Sequence, residues 1–131
     1  MLNKIFVYGT LRKGYGSRHG MLQEDGEFLG VAYSTNKIMY DLGAFPGVIH
    51  SDNEEDVIVG EVYTMNDPQE TIAYLDVIEG VPTLYRREKV RVSLENGEEL
   101  TTWMYIYNAQ TTRSYNRVAS GDYYVVESAQ A

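Results

Sequence analysis

Asn96-Gly97 lies between two β-favouring runs, R-R-E-K-V-R-V-S-L over Arg86–Leu94 and L-T-T-W-M-Y-I-Y over Leu100–Tyr107. Asn-Gly is the strongest short-range hairpin signal, because a type I′ turn needs positive φ at both central residues. The pair commits the second half of the chain to an antiparallel sheet. Further β-type runs cover Lys4–Tyr8, two stretches within Glu27–Leu42 (F-L-G-V-A-Y and K-I-M-Y-D-L), and Val57–Met65, where Gly60 marks a bulge or a close backbone approach. S-G-D-Y-Y-V-V near the C-terminus offers a last short strand. About six strands joined by hairpin-type turns, with one good helix, predict an α+β fold built on an antiparallel sheet curled towards a barrel.

The helix is read between Asp67 and Gly80. Asp67 suits the N-cap, Pro68 the first helical position, and Glu70 completes a capping-box-like start; Gly80 and Pro82 supply the stop. Ile72, Leu75 and Glu79 fall at i, i+3 and i+7, so a carboxylate continues an apolar stripe. An inward Glu79 would have its pKa raised by burial and by the negative helix C-terminus, which suits proton transfer near neutrality. The competing reading is a frayed last-turn residue facing solvent, as most glutamates do, and on this stretch alone it is the commoner outcome.

Composition narrows the classes. The 131 residues are read as one domain, 1–131, with 44% hydrophobic and 23% charged residues and no cysteine. Disulfides, thiol nucleophiles and cysteine-bound metals are thereby excluded, and a reducing cytoplasm is the expected location. A net charge of −8 speaks against nucleic acid as a partner. The apolar stretch before Gly9 is too short for a signal-peptide core or a membrane span, so no membrane role is expected. Twelve tyrosines against three phenylalanines suit strands lining a partly polar cavity, or ordinary sheet packing.

The loops carry weaker signals. Gly9 to Gly16 is a glycine-punctuated loop after a strand, a common place to aim backbone N–H groups at an anion. Gly9 and Gly14 match the glycine spacing of a phosphate-binding loop, yet Tyr15 and Gly16 stand where that motif needs Lys and Ser or Thr. His19, at the start of a short helical turn, and His50 have no partner at ligand spacing and read as structural or surface residues. Gly43–Val48 reads as a turn able to approach a pocket, and Ser51–Asp56 as a solvated acidic loop without the alternation of a calcium site.

Five motifs taken together, V-Y-G-T-L (Val7–Leu11), F-P-G-V (Phe45–Val48), G-E-V-Y (Gly60–Tyr63), L-D-V-I-E-G (Leu75–Gly80) and Y-R-R-E-K-V-R-V (Tyr85–Val92), resemble the gamma-glutamylcyclotransferase-like superfamily. The likeness is to its short gamma-glutamylamine cyclotransferase branch; the motifs keep the family's order up to Tyr107, and Ser120–Asp122 resembles its C-terminal signature. The resemblance implies a small mixed, mainly antiparallel β-barrel-like sheet with one principal helix and a short helical turn. It implies a pocket between Tyr8, Gly9, Thr10 and Leu11 on one side and Glu79 on the other. The implied reaction closes a gamma-glutamyl donor to 5-oxoproline and releases its amine, with Glu79 as general acid/base and no metal or organic cofactor.

On that footing the partner is a small gamma-glutamyl molecule, and the motif set turns the reading of Glu79 from surface residue to proton carrier. The N–H groups of Gly9, Thr10 and Leu11 would receive the donor's α-carboxylate in preference to the reaction's oxyanion. Tyr8, Tyr85 and Tyr105 are candidate pocket hydroxyls, with sheet packing as the alternative for each. Arg86 and Arg87 are read as structural, paired with cross-strand carboxylates, and Asp76 as capping or pairing locally. The loop from Arg12 to Gly16 and the tail beyond Asn108 are where related chains vary. A second functional class stays open: a non-catalytic module that binds a small carboxylate metabolite in the same pocket.

Overall fold

A computed structural model gives the fold, with residues 1–13, 17–109 and 115–124 described, the side chains of residues 17–19 excepted. The chain runs β1 (Lys4–Val7), α1 (Ser17–Asp25), β2 (Phe28–Thr35), β3 (Lys37–Asp41), β4 (Pro46–His50), β5 (Val57–Thr64), α2 (Pro68–Ile78), β6 (Tyr85–Leu94), β7 (Glu99–Tyr107) and β8 (Asn116–Arg117). Five strands close a barrel in the order β1-β5-β2-β6-β7, and β4-β3-β8 form a second, three-stranded sheet. Closure leaves the barrel no open edge. It is made by the one parallel pairing, Ile5 opposite Trp103, so the sheet is mixed but mainly antiparallel, as the resemblance implied.

The β6–β7 hairpin forms where Asn96-Gly97 was read, with Tyr85 opposite Tyr107 and Ser93 opposite Glu99, but not through a type I′ turn. The turn is Leu94–Gly97, closed by the Gly97 N–H on the Leu94 carbonyl at 2.9 Å, and Gly97 (φ 88°) but not Asn96 has positive φ. At Gly60 the backbone does approach closely: a Cβ there would lie 2.4 Å from the Val7 carbonyl oxygen. Two further expectations need correction. Gly43–Val48 is not all turn, because Pro46 begins β4 and pairs with Asp41; its Gly and Pro suggested a turn, but on a short strand beside β3 they fit. The short helical turn is a nine-residue helix, α1.

The final strand was expected in S-G-D-Y-Y-V-V. Within it Tyr123 and Tyr124 are helical and the residues after them lie outside the described part, while a two-residue strand forms earlier, at Asn116–Arg117. Tyr15, Gly16 and the His19 side chain also lie outside the described residues.

Two buried clusters share β1. Phe6 and Tyr8 pack with Met39, Val48 and Val118 of the second sheet region, whereas Ile5 and Val7 pack with Leu22 of α1 and Ile72 and Leu75 of α2. This follows from the two-residue period of a strand covered on both faces. The chain leaves β1 at Tyr8, where the two clusters meet.

The N-cap and the proline of the α2 start are as read, but the reciprocal arm of the capping box is not: Asp25, not Glu70, takes the Asp67 N–H. The Asp67 side chain accepts from the Glu70 N–H at 3.2 Å and Pro68 occupies the first turn. The Asp67 N–H is taken by Asp25 at the end of α1, at 3.0 Å and 3.2 Å, and Asp25 also accepts the Thr71 hydroxyl. The helix N-terminus is thus capped by its own N-cap residue and by a carboxylate from the neighbouring helix, both favourable to the positive end of the dipole.

Candidate active site

Glu79 ends α2 as its C-cap, with its N–H bonded to the Leu75 carbonyl at 2.9 Å, and Gly80 follows at φ 67°. The stripe of Ile72, Leu75 and Glu79 is turned inward: the two apolar residues are buried and Glu79 keeps 9% exposure. It opens into a pocket of about 330 Å³, part of it continuous with solvent, at the end of β1.

The pocket brings together all seven residues singled out in the sequence: Glu79, Tyr8, Gly9, Thr10, Leu11, Tyr85 and Tyr105. Phe6, Val7, Phe45 and Pro46 line it as well. Among the described residues Glu79 is the one carboxylate in that lining. Phe45 ends the β3–β4 connection and Pro46 begins β4, and this stretch approaches the pocket as the sequence suggested.

Gly9 to Arg12 form a hydrogen-bonded turn, the Arg12 N–H donating to the Gly9 carbonyl at 2.9 Å. Gly9 is required there by space: a Cβ would lie 2.5 Å from Cγ and 2.7 Å from Cδ of Pro46. No backbone carbonyl among the described residues accepts from the N–H of Gly9 or Thr10. Such N–H groups at a strand end form a natural anion seat.

The three pocket tyrosines have their hydroxyl protons committed to the protein. Tyr8 donates to the Tyr105 carbonyl at 2.8 Å, Tyr85 to the Pro46 carbonyl at 2.5 Å, and Tyr105 to Asp76 Oδ1 at 2.8 Å. Burial raises the Tyr8 pKa well above its usual value, with the Tyr85 hydroxyl and the Glu79 charge adding and the Val48 N–H opposing. Burial likewise raises Tyr105, reinforced by its bond to Asp76 and by the charges of Asp76 and Glu79. Both stay protonated, so they frame the pocket and titrate far from neutrality.

Asp76 pairs with Arg87 of β6 through two bonds, 3.0 Å and 3.2 Å, and the Arg87 guanidinium lies 4.2 Å from the Trp103 ring centre. Arg86 bonds Glu88 at 2.6 Å. Both arginines have structural partners, although these are a helix carboxylate and a same-strand neighbour and not the cross-strand carboxylates expected. His50 bonds Glu88 at 3.0 Å on the surface. Among the described residues no group of three or more His, Asp or Glu is placed to hold a metal ion, and no helix is long and apolar enough to cross a membrane.

Sequence reasoning passed over Arg12, Glu61 and Asp122. Arg12 is 3% exposed and bonds Glu61 through Nε at 3.1 Å and Asp122 through NH1 at 2.9 Å. All three stand inside or next to quoted motifs, Glu61 in G-E-V-Y and Asp122 in S-G-D, but nothing local linked them.

A family model described as gamma-glutamyl cyclotransferase, AIG2-like, matches residues 5–125. The chain belongs to this family. A Vibrio cholerae relative that provisionally carries the name gamma-glutamylcyclotransferase is 37% identical over 124 residues, spanning 94% of this chain and 96% of its own. A zebrafish (Danio rerio) relative named gamma-glutamylaminecyclotransferase A is 25% identical over 113 residues, 82% of this chain and 69% of its own. The crystal structure of an uncharacterized Pyrococcus horikoshii protein superposes with a TM-score of 0.73 at 26% identity, covering 98% and 95% of the two chains. A structure titled gamma-glutamyl cyclotransferase shares the fold, with a TM-score of 0.67 at 21% identity over 89% and 70% of the two chains. Family and relatives together support an enzyme of the gamma-glutamyl cyclotransferase kind acting on a small gamma-glutamyl molecule.

Proposed function

We propose that this family member cyclises a gamma-glutamyl amine to 5-oxoproline and releases the free amine, with Glu79 as general acid/base. The observation that carries the reading is that Glu79 is, among the described residues, the one carboxylate in a pocket lined also by Gly9, Thr10 and Leu11 of the turn. The name of the zebrafish relative supports an amine as leaving group.

The chemistry asks for little beyond these groups. The donor's α-ammonium gives a proton to Glu79 and its nitrogen attacks the γ-carbonyl, forming the lactam C–N bond. The ring nitrogen sheds its second extra proton as the tetrahedral intermediate breaks its bond to the departing amine, which takes that proton as well as the one held by Glu79 and leaves as an ammonium ion. The product is the neutral lactam and the protein ends unchanged. Nucleophile and electrophile belong to one molecule, and the pocket needs only to hold that molecule folded back on itself. The N–H groups of Gly9, Thr10 and Leu11 receive the α-carboxylate, a group present in donor and product alike. Tyr8, Tyr85 and Tyr105 give the walls, with Phe45 and Pro46 closing the apolar side.

The test is Glu79→Gln assayed for 5-oxoproline release from a panel of gamma-glutamyl amines. The expected result is a loss of kcat of about 10²–10⁴-fold with an unchanged fold by circular dichroism. Full turnover in that variant would overturn the role of Glu79, and a wild-type protein that binds 5-oxoproline but turns over no donor would favour the binding module.

A further inference from the structure

Glu61 is not among the residues lining the pocket, yet its carboxylate is held by several hydrogen bonds beside it. It stands on β5 opposite Val7, the last residue of β1, and so directly beside the point where the chain enters the Gly9–Arg12 turn. Its side chain is buried and its carboxylate accepts from three donors. Arg12 Nε reaches Oε2 at 3.1 Å, the Lys13 N–H reaches Oε1 at 3.0 Å and the Tyr63 hydroxyl reaches Oε1 at 2.8 Å, while the Tyr124 hydroxyl, 3.1 Å from Oε2, also meets the Lys13 carbonyl.

Two of these donors are consecutive residues at the exit of the turn, one by side chain and one by backbone. A bond to a side chain alone would anchor the loop; adding the next backbone N–H fixes the orientation of the peptide. The other end of the turn is fixed by Tyr8, through its bond to the Tyr105 carbonyl, and by the Gly9 contact with Pro46. Arg12 is gripped from its far side as well, by Asp122 and by the Tyr124 ring 3.6 Å from its guanidinium carbon. Gly121 makes that grip possible: at φ 71° it packs where a Cβ would lie 2.0 Å from the Val57 carbonyl oxygen, docking the segment on β5. Charge-assisted bonds of this kind are short and directional.

We propose that Glu61 is a positioning residue for the substrate's α-carboxylate: by holding Arg12 and the Lys13 N–H it keeps the Gly9–Arg12 turn with its N–H groups presented to the pocket. The role rests on the reading above that this turn receives the carboxylate. Neither Glu61 nor Arg12 is among the residues that line the pocket, which fits a role exercised through the turn and not by direct contact. The consequence is specific: disturbing Glu61 weakens binding and leaves the proton-transfer step in place.

The experiment compares wild type, Glu61→Gln and Glu79→Gln for 5-oxoproline affinity by calorimetry, and for kcat, KM and the pH profile of kcat with a gamma-glutamyl amine donor. Glu61→Gln is expected to raise KM and the 5-oxoproline Kd by about tenfold, the loss of one charge-assisted bond, with kcat and the pH limbs retained. Glu79→Gln shows the opposite split, kcat lost and Kd kept. Asp122→Asn relaxes the same grip from a partly exposed position and is expected to move KM and Kd in the same direction by a smaller factor; it decides the matter should Glu61→Gln not fold. Unchanged Kd and KM in both variants, whatever the melting temperature does, overturns the positioning role, as does a collapse of kcat at constant KM. A wild-type protein that neither binds 5-oxoproline nor turns over any donor overturns the functional reading itself, and the two failures are thus told apart.

Discussion

Asp76 and Glu79 stand three residues apart at the end of α2, and the fold sends their carboxylates to different places. Asp76 accepts the Tyr105 hydroxyl and two Arg87 nitrogens, all within 3.2 Å, and lies on the barrel wall. Glu79, one step past the helix, opens into the pocket. Three residues along a helix leave the two side chains on neighbouring directions, about 60° apart, which is enough to separate an acid paired on the outside of the barrel from one that faces the pocket.

The division predicts different losses. Asp76→Asn weakens the Arg87 pair and is expected to lower stability by about 1–3 kcal/mol, because a partly buried guanidinium loses its counter-charge. Turnover at a temperature where the variant is folded should be retained, since Asp76 handles no substrate proton. Denaturant midpoints and kcat measured on the same preparation check this; a kcat as low as that of Glu79→Gln would assign Asp76 to the chemistry.

Gly9→Ala inserts a methyl group 2.5 Å from Pro46 Cγ, well inside contact distance. The turn must then move away from β4, carrying its N–H groups off the pocket. The expected outcome is a loss of 5-oxoproline affinity larger than the loss of melting temperature. Binding equal to wild type would show that the turn has room to spare.

Gly20→Ala is the contrasting substitution. Gly20 lies within α1 and a Cβ there meets nothing within 4 Å. Replacing a helical glycine with alanine reduces the freedom of the unfolded chain and is expected to stabilise by about 0.5–1 kcal/mol. A higher denaturant midpoint at unchanged activity is the result that checks it.

What the sequence made legible followed physical range. The stripe of Ile72, Leu75 and Glu79 was readable because helical periodicity is local, and the Asn96-Gly97 hairpin because turn chemistry is local. That Tyr8–Leu11 and Glu79 would meet was not in any period; it came from the order of motifs. Arg12, Glu61 and Asp122 escaped because the contacts span 49 and 110 positions, and a single charged residue at a buried strand position looks the same as one facing water. β4 was read as turn because Pro46 and Gly47 are breakers in isolation, and only the pairing with β3 makes them a strand.

The pH dependence of stability follows from the same buried network. Burial alone would raise the Glu61 pKa, but the bonds from the Lys13 N–H, Tyr63 and Arg12, together with the Arg12 charge, hold it below its usual 4.5. A carboxylate with a depressed folded pKa contributes stability that is present above the unfolded value and lost as pH falls through the folded one. Glu88 acts in the same direction through His50 and Arg86. At the alkaline end burial and the Glu61 charge push Tyr124 up to about 12 from 10.0, so its contribution is present below pH 10 and lost as pH rises through that higher value. Denaturant midpoints are therefore expected to be flat between about pH 5 and 9 and to fall on either side. Glu61→Gln should lower the plateau and flatten the acid limb, because the group whose protonation breaks the grip on Arg12 is gone. An acid limb as steep as that of wild type would mean that Glu61 does not titrate with unfolding, and would remove it as the charge that holds the turn.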